Sequence, residues 1–207
     1  GVVGLLENLK VKRTLLIGGE PSIYPHIFEL MEKLQKSQIK FGLVSNGRKL
    51  KNFEFVKRLK KSGLESMSIS IEGPNAEEHD YLTQIPGSYA ETICGLENAN
   101  LVGINVSSNT VMCQRNIGYL EEIVDSIIDK VKRFTFNFCG DCITNERNTF
   151  LKLNPREAIQ AFQKIYDYSV KKNIKIKLVT PMPYCIFDKD YLQKFKEENI
   201  ISGGPCQ

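Results

Sequence analysis

Four short polar clusters each follow a strand-like run, and their side chains are of kinds that hold small ligands. The first is Gly18-Gly19-Glu20-Pro21, directly after Thr14-Leu15-Leu16-Ile17. Paired glycines let a backbone approach a ligand closely and leave N–H and C=O groups open to it. Glu20 can accept a charge-assisted hydrogen bond from a ligand ammonium. The second cluster, Ser45-Asn46-Gly47, offers a hydroxyl, an amide and a permissive glycine. In the third, Ser70-Ile71-Glu72-Gly73-Pro74, strand alternation puts Ser70 and Glu72 on one face and Ile69 and Ile71 on the other. A hydroxyl beside a carboxylate suits a ribose diol or a similar polyol. In the fourth, Asn105, Ser107 and Asn109 alternate with Val106, Ser108 and Thr110. Inward polar groups in a buried strand are costly unless bonded, so Asn109 is a candidate ligand contact.

Each cluster has a purely structural reading as well. Residues 18–21 could be a tight turn with a solvent carboxylate, 45–47 a helix cap and turn, and 70–74 a half-exposed strand end. Their order, one strand–helix unit apart, separates them from isolated turns.

The six cysteines are Cys94, Cys113, Cys139, Cys142, Cys185 and Cys206. In a chain of 207 residues with no visible secretory signal they argue for cytosolic thiols or metal ligands, not a disulfide framework. Cys139-Gly-Asp-Cys142 is a single pair with no second half, a weak zinc signal that reads as a thiol pair. Cys94 reads as helix core, and Cys113 follows a strand end. His26 and His79 have no partner in the sequence pattern and read as surface or cap residues. Tyr24, Tyr81 and Tyr89 read as packing or pocket walls.

Alternating β-branched runs and amphipathic stretches must position these groups. Strands are expected at TLLI, KFGLVSNG, SMSISIEGP, INVSSNTVM, RFTFNF and IKIKLV. Between them run helical stripes: His26, Ile27, Leu30, Met31 and Leu34; a helix over 88–101; Ile117, Leu120, Ile123, Val124, Ile127 and Val131; and Ala158, Ile159, Phe162, Ile165, Tyr166 and Val170. Gly63 reads as a helix stop, and Asn154, Pro155 and Glu157 as a capping sequence. Strands alternating with helices through short links imply parallel pairing and right-handed crossovers. Ligands of such folds sit at the carboxyl ends of the strands, where all four clusters fall.

The composition is that of a soluble globular domain: 42% hydrophobic and 25% charged residues, with no apolar run long enough to span a membrane. The net charge of +4 is spread over polar helix faces, which favours solvated surfaces over a nucleic-acid patch. After Leu178-Val179-Thr180 the character changes to prolines, cysteines and a short charged helix, so a core unit is expected over 1–180 and an appended module from 181 to 207.

The ordered set GGEP, SNG, SISIEGP and an Asn-bearing strand resembles the radical S-adenosylmethionine (radical SAM) superfamily over residues 1–180. The resemblance implies an α/β fold, a partial (β/α)6 TIM-like barrel. By it, Gly18, Gly19, Glu20 and Pro21 bind the methionine end of S-adenosylmethionine. Ser45 and Asn46 support the methionyl or sulfonium region, Ser70 and Glu72 meet the ribose and carboxylate side, and Asn109 meets ribose or adenine. Glu72 stands where family members more often carry aspartate. It also implies a catalytic [4Fe–4S] cluster on a Cys-x3-Cys-x2-Cys loop, which this sequence lacks. The chain opens within a helix, so the first strand and that loop are expected before Gly1. Cys185 and Cys206 resemble the entry to the SPASM or twitch extensions and are candidate ligands of an auxiliary [4Fe–4S] cluster. The implied activity is a cytoplasmic radical SAM enzyme that modifies a peptide or protein side chain, with an electron donor such as flavodoxin or ferredoxin. Rival readings are a sulfatase-maturase-like enzyme, a non-catalytic nucleotide-binding barrel and a sugar-phosphate enzyme.

Overall fold

The computed structural model describes residues 1–139 and 151–204. The chain divides into two compact units, one of residues 1–70 and 85–107, the other of residues 71–84 and 108–207.

In the first unit, strands β1 (Arg13–Leu16), β2 (Lys40–Ser45) and β3 (Ser66–Ser70) pair in parallel and in chain order, with Leu15 opposite Gly42 and Gly42 opposite Ser66. Period-two alternation sorts their side chains. Phe41, Leu43, Met67 and Ile69 are buried on one face, while Ser66, Ser68 and Ser70 on the other stay partly open. Helices α1 (Val2–Asn8), α2 (Ile27–Lys36), α3 (Phe53–Lys61) and α5 (Ser88–Leu101) belong to this unit. Met31, Leu34, Val56, Leu59, Leu96 and Ala99 supply their share of its core. Each large apolar side chain so buried is worth about 1.5–3 kcal/mol over its exposed state. The cap of α3 is Asn52, whose side chain accepts from Phe55 N–H, and Gly63 ends the helix in a left-handed conformation, as the sequence predicts.

The second unit contains α4 (Ala76–Thr83), α6 (Leu120–Ile127), α7 (Pro155–Lys172) and α8 (Lys189–Glu197). Its strands are the later part of β4 (Asn105–Met112), then β5 (Phe134–Phe138), β6 (Ile176–Pro183) and β7 (Ile201–Gly204), again parallel and in chain order. Its core is aromatic: Phe162 meets Phe136 and Phe195 edge-on, with ring centroids 6.1 and 5.4 Å apart. Asn154 and Glu157 form the expected capping box, with Pro155 in the first turn. Strand β7 and helix α4 are additions to the elements expected from sequence.

Two core assignments are corrected. Cys94 is exposed, because α5 packs through Thr92, Gly95, Leu96 and Ala99, a small-residue face that hydrophobic periodicity under-reports. Val170 is 61% exposed, and Ser169 takes the last inward position on α7.

Candidate functional site

The loop after β1 is held by its own glutamate. Glu20 Oε1 accepts from Ser22 N–H at 3.0 Å and from the Ser45 hydroxyl at 2.9 Å, while Oε2 accepts Asn46 N–H at 2.7 Å. One carboxylate therefore ties the end of β1 to the end of β2. Ser45 is 2% exposed and uses both directions of its hydroxyl, donating to Glu20 and accepting Gly47 N–H at 3.0 Å. Asn46 accepts Arg48 N–H on its side-chain oxygen, and Thr92 Oγ1 donates to its carbonyl. Its side-chain NH2 makes no hydrogen bond among the described residues. Ser70, at the tip of β3, is half-buried with no hydrogen bond to its hydroxyl among the described residues.

Gly18 and Gly19 are the open part of this loop. Gly18 has φ +153°, and a Cβ built on either residue meets nothing within 4 Å. Neither residue's N–H or C=O makes a hydrogen bond among the described residues. An uncovered pair of peptide units beside a clamped carboxylate can hold a zwitterionic ligand, donating to its carboxylate and accepting from its ammonium. The groove alongside has a volume of about 410 Å³ and runs from residues 14–21 and Tyr24 to an apolar wall of Val2 and Leu6 from α1 and Ile27, Leu30 and Leu34 from α2.

In the second unit, Glu72 is the chemical centre. Its Oε2 accepts Val111 N–H at 3.0 Å, and Oε1 makes no hydrogen bond among the described residues. Burial pushes its pKa up to about 7, against the lowering effect of the Val111 N–H. Three groups fix the backbone around it. Glu72 N–H donates to His79 Nδ1 at 3.1 Å, Asn116 Nδ2 donates to Glu72 C=O at 3.0 Å, and Ile71 C=O accepts from Thr110 Oγ1 at 2.7 Å. A Cβ on Gly73 would stand 2.5 Å from His79 N, so only glycine lets α4 come this close.

His79 is therefore not a surface or cap residue. It is 2% exposed, and burial drives its pKa down to about 4, with Asp80 opposing. Because a backbone N–H can only donate, Nδ1 must be the unprotonated nitrogen, and the ring is the neutral Nε2–H tautomer. His26, by contrast, is the exposed N-cap position of α2, bonded to Glu29. Asn116 also escaped the sequence reading. It is fully buried and bonds Cys113 N–H, Val111 C=O and Glu72 C=O. Arg115 grips the buried Glu78 through two hydrogen bonds of 2.7 and 2.8 Å and lies over the ring of Tyr81.

Asn109 lies on the half-open face of β4 and accepts from Asn137 Nδ2 at 2.6 Å on its side-chain oxygen. Its side-chain NH2 has no partner among the described residues. The structure thus joins Glu20, Ser45 and Asn46 in the first unit. In the second, Glu72 and Asn109 occupy the chain segments linked by Ile71 N–H to Asn109 C=O at 2.9 Å.

The cysteines divide. Cys113 is buried, and desolvation raises its thiol pKa, with Glu72 and Cys139 adding to the rise. Cys139 is half-buried, and its N–H donates to Met112 C=O. Cys185 is disulfide-bonded, while Cys142 and Cys206 lie outside the described residues. Among the described residues no group of three or more His, Cys, Asp or Glu could hold a metal ion, and no helix is long and apolar enough to cross a membrane.

Known proteins extend this picture. An AdoMet-dependent heme synthase of Methanosarcina barkeri is 35% identical over 109 residues, covering 53% of this chain and 30% of that protein. A GTP 3',8-cyclase of Petrotoga mobilis is 28% identical over 160 residues, covering 74% and 49% respectively. The chain thus spans at most about half the length of these relatives. Among solved structures, Streptococcus suis SuiB bound to S-adenosylmethionine superposes with a TM-score of 0.70 at 20% identity, over 88% of this chain and 40% of SuiB. That likeness establishes the expected fold, an α/β partial TIM-like barrel. The Radical SAM superfamily model matches residues 2–127, more than half of the chain, and the protein belongs to the radical SAM superfamily.

Proposed function

We propose that this chain is the S-adenosylmethionine-binding part of a radical SAM enzyme that modifies a peptide or protein side chain. The observation that carries the reading is the loop after β1: free peptide groups at Gly18 and Gly19 beside a Glu20 carboxylate clamped to Ser22, Ser45 and Asn46. In this reading Gly18, Gly19, Glu20 and Pro21 take the methionine end of the ligand, and Asn46 and Ser70 contribute the unbonded groups described above. Ser45 acts through Glu20. Glu72, through its free Oε1, accepts from ribose hydroxyls, and Asn109 donates to the nucleoside. When bound, S-adenosylmethionine together with a reduced [4Fe–4S] cluster supplies one-electron chemistry for hydrogen abstraction. The protein's own share is to orient the ligand and to keep solvent from the reacting carbon.

The described residues offer no ligand set for the catalytic cluster, and none is assigned to it. Exposed Leu15 and Ile17 at the uncovered side of β1 support a further segment packing there. An auxiliary cluster on Cys185 and Cys206, within a module over 181–207, belongs to the same proposal and requires Cys185, here disulfide-bonded, as the reduced thiolate. An electron donor of the flavodoxin or ferredoxin kind belongs to it as well. The peptide substrate is supported by the likeness to SuiB bound to its precursor peptide SuiA, TM-score 0.68. A second reading, a small-molecule substrate, is favoured by the sequence identity to a heme synthase and a GTP cyclase.

The test is anaerobic reconstitution of the full-length protein, with 5′-deoxyadenosine release measured alone and with candidate precursor peptides. Release stimulated by a peptide supports the first reading. Release stimulated only by a porphyrin-type or nucleotide substrate supports the second. A wild-type protein that binds no S-adenosylmethionine sinks both.

A further inference from the structure

A line of side-chain hydrogen bonds crosses β6, β5 and β4. Phe138 N–H donates to Thr180 Oγ1 at 3.3 Å, Thr180 Oγ1 donates to Asn137 Oδ1 at 3.1 Å, and Asn137 Nδ2 donates to Asn109 Oδ1 at 2.6 Å. The direction of this line is set at its start. Phe138 N–H takes one lone pair of Thr180 Oγ1, and the acceptor that the Thr180 proton finds among the described residues is Asn137 Oδ1, so the opposite amide orientation would leave that proton without one. Asn137 must then turn its oxygen toward Thr180 and its NH2 toward Asn109. Asn109 can answer only with its oxygen. Thr135 also approaches that oxygen, at 3.4 Å, but its proton is taken by Ser108 C=O at 2.5 Å, so it does not decide the orientation. The outcome is that the Asn109 NH2 faces away from the line, without a partner among the described residues.

We infer that Thr180 and Asn137 are positioning residues that force Asn109 to meet its ligand as a hydrogen-bond donor. This rests on the reading of Asn109 as a nucleoside contact and adds a selection rule to it. The ligand atom opposite must accept: a ring nitrogen, a ring oxygen, or a hydroxyl whose proton goes elsewhere. The Thr180 proton thereby sets, through two amides, a fixed polarity on the half-open face of β4.

The discriminating variants are Asn137→Asp and Asn137→Ala in the full-length protein. Aspartate keeps the shape of Asn137 and still accepts from Thr180, but it presents an acceptor to Asn109. Asn109 must then turn its NH2 inward and its oxygen toward the ligand. Alanine removes the instruction without reversing it. Binding is measured by calorimetry with neutral 5′-deoxyadenosine, so the new carboxylate cannot act through charge on a sulfonium, and thermal unfolding reports the fold.

Asn137→Asp is expected to weaken binding by about 10-fold or more and Asn137→Ala by about 3-fold, in line with a repelled against a lost hydrogen bond. Thr180→Val shifts affinity in the same direction as Asn137→Ala, and Thr180→Ser restores it. A purely packing role predicts the opposite order, with alanine the more damaging, and that order overturns the inference. Should both Asn137 variants unfold, the Thr180 pair decides alone: equal affinities for valine and serine refute the line. If wild type binds neither S-adenosylmethionine nor the nucleoside, the inference falls together with the functional reading. If wild type binds and only the variant order is reversed, it falls alone.

Discussion

His79 Nδ1 accepts the backbone N–H of Glu72 at 3.1 Å, across seven residues and the sharp bend at Gly73. Two titratable groups with opposite shifts, the buried His79 at about 4 and the half-buried Glu72 at about 7, thus meet at one peptide group. Their effects on stability run in opposite directions with pH.

For His79 the folded pKa lies below the unfolded value, so the native state binds fewer protons in the interval between them. Stability is held above about 6.5 and falls as pH drops toward 4, by up to about 3 kcal/mol. His79→Gln keeps an acceptor but cannot titrate. Urea denaturation at pH 7 and pH 5 should therefore show a smaller acid loss for the variant than for wild type. Equal losses would remove His79 from the acid response.

Glu72 has the reverse sign. Its raised pKa means that the native state retains a proton the unfolded chain has released, so stability is complete below about 4.5 and declines as pH rises to 7, again by up to about 3 kcal/mol. Glu72→Gln is expected to be more stable than wild type at pH 8 and no more stable at pH 4. Ligand binding responds in the opposite sense. If the ionised carboxylate accepts ribose hydroxyls, wild-type affinity for S-adenosylmethionine improves as pH rises through 7, and the Gln variant shows a weaker, flat profile. A pH-independent wild-type affinity would exclude that contact.

Glu20→Gln tests the clamp of the first unit. Both carboxylate oxygens accept, so any orientation of the amide sets an NH2 against Ser22 N–H and Ser45 or against Asn46 N–H. A buried donor left without an acceptor costs about 1–3 kcal/mol. The expected result is a lowered melting temperature together with at least a roughly 10-fold loss of S-adenosylmethionine affinity, since the Gly18-Gly19 loop is no longer held. Loss of stability with unchanged affinity would show that the clamp and the ligand loop are independent.

Much of this was legible in the sequence because it depends on short-range patterns. Alternation along Ser66–Ser70 and Asn105–Met112 assigned the half-open and buried faces, and Asn154, Pro155 and Glu157 announced α7. The supporting groups were not legible, since their partners are distant or hidden. Asn116 serves Glu72 across 44 residues, and a histidine in an acidic, weakly amphipathic helix gives no sign that Glu72 N–H lies against it. Glu20 was read as a ligand acceptor, yet most of its capacity is used by its own neighbours. Val170 falls at the edge of the apolar stripe, one residue and so about 100° round the helix from Ser169, which holds the inward position.

The exposure of Cys94 and the burial of Cys113 can be read by alkylation kinetics. A thiolate is the reacting species, and reaction also needs access for the reagent. Cys94 lies on the outer side of α5 with Asn98 Nδ2 3.9 Å from its sulfur, while Cys113 is 4% exposed with its thiol pKa raised by burial. Limiting iodoacetamide at pH 7.5, followed by peptide mass spectrometry, should label Cys94 well before Cys113. Adding urea past the unfolding midpoint should bring the two rates together, because both protections derive from the fold. Early labelling of Cys113 in the native protein would mean that the packing of Asn116 against its N–H opens readily. The shell around Glu72 would then be mobile, and the pH profiles of both Glu72 and His79 would flatten with it.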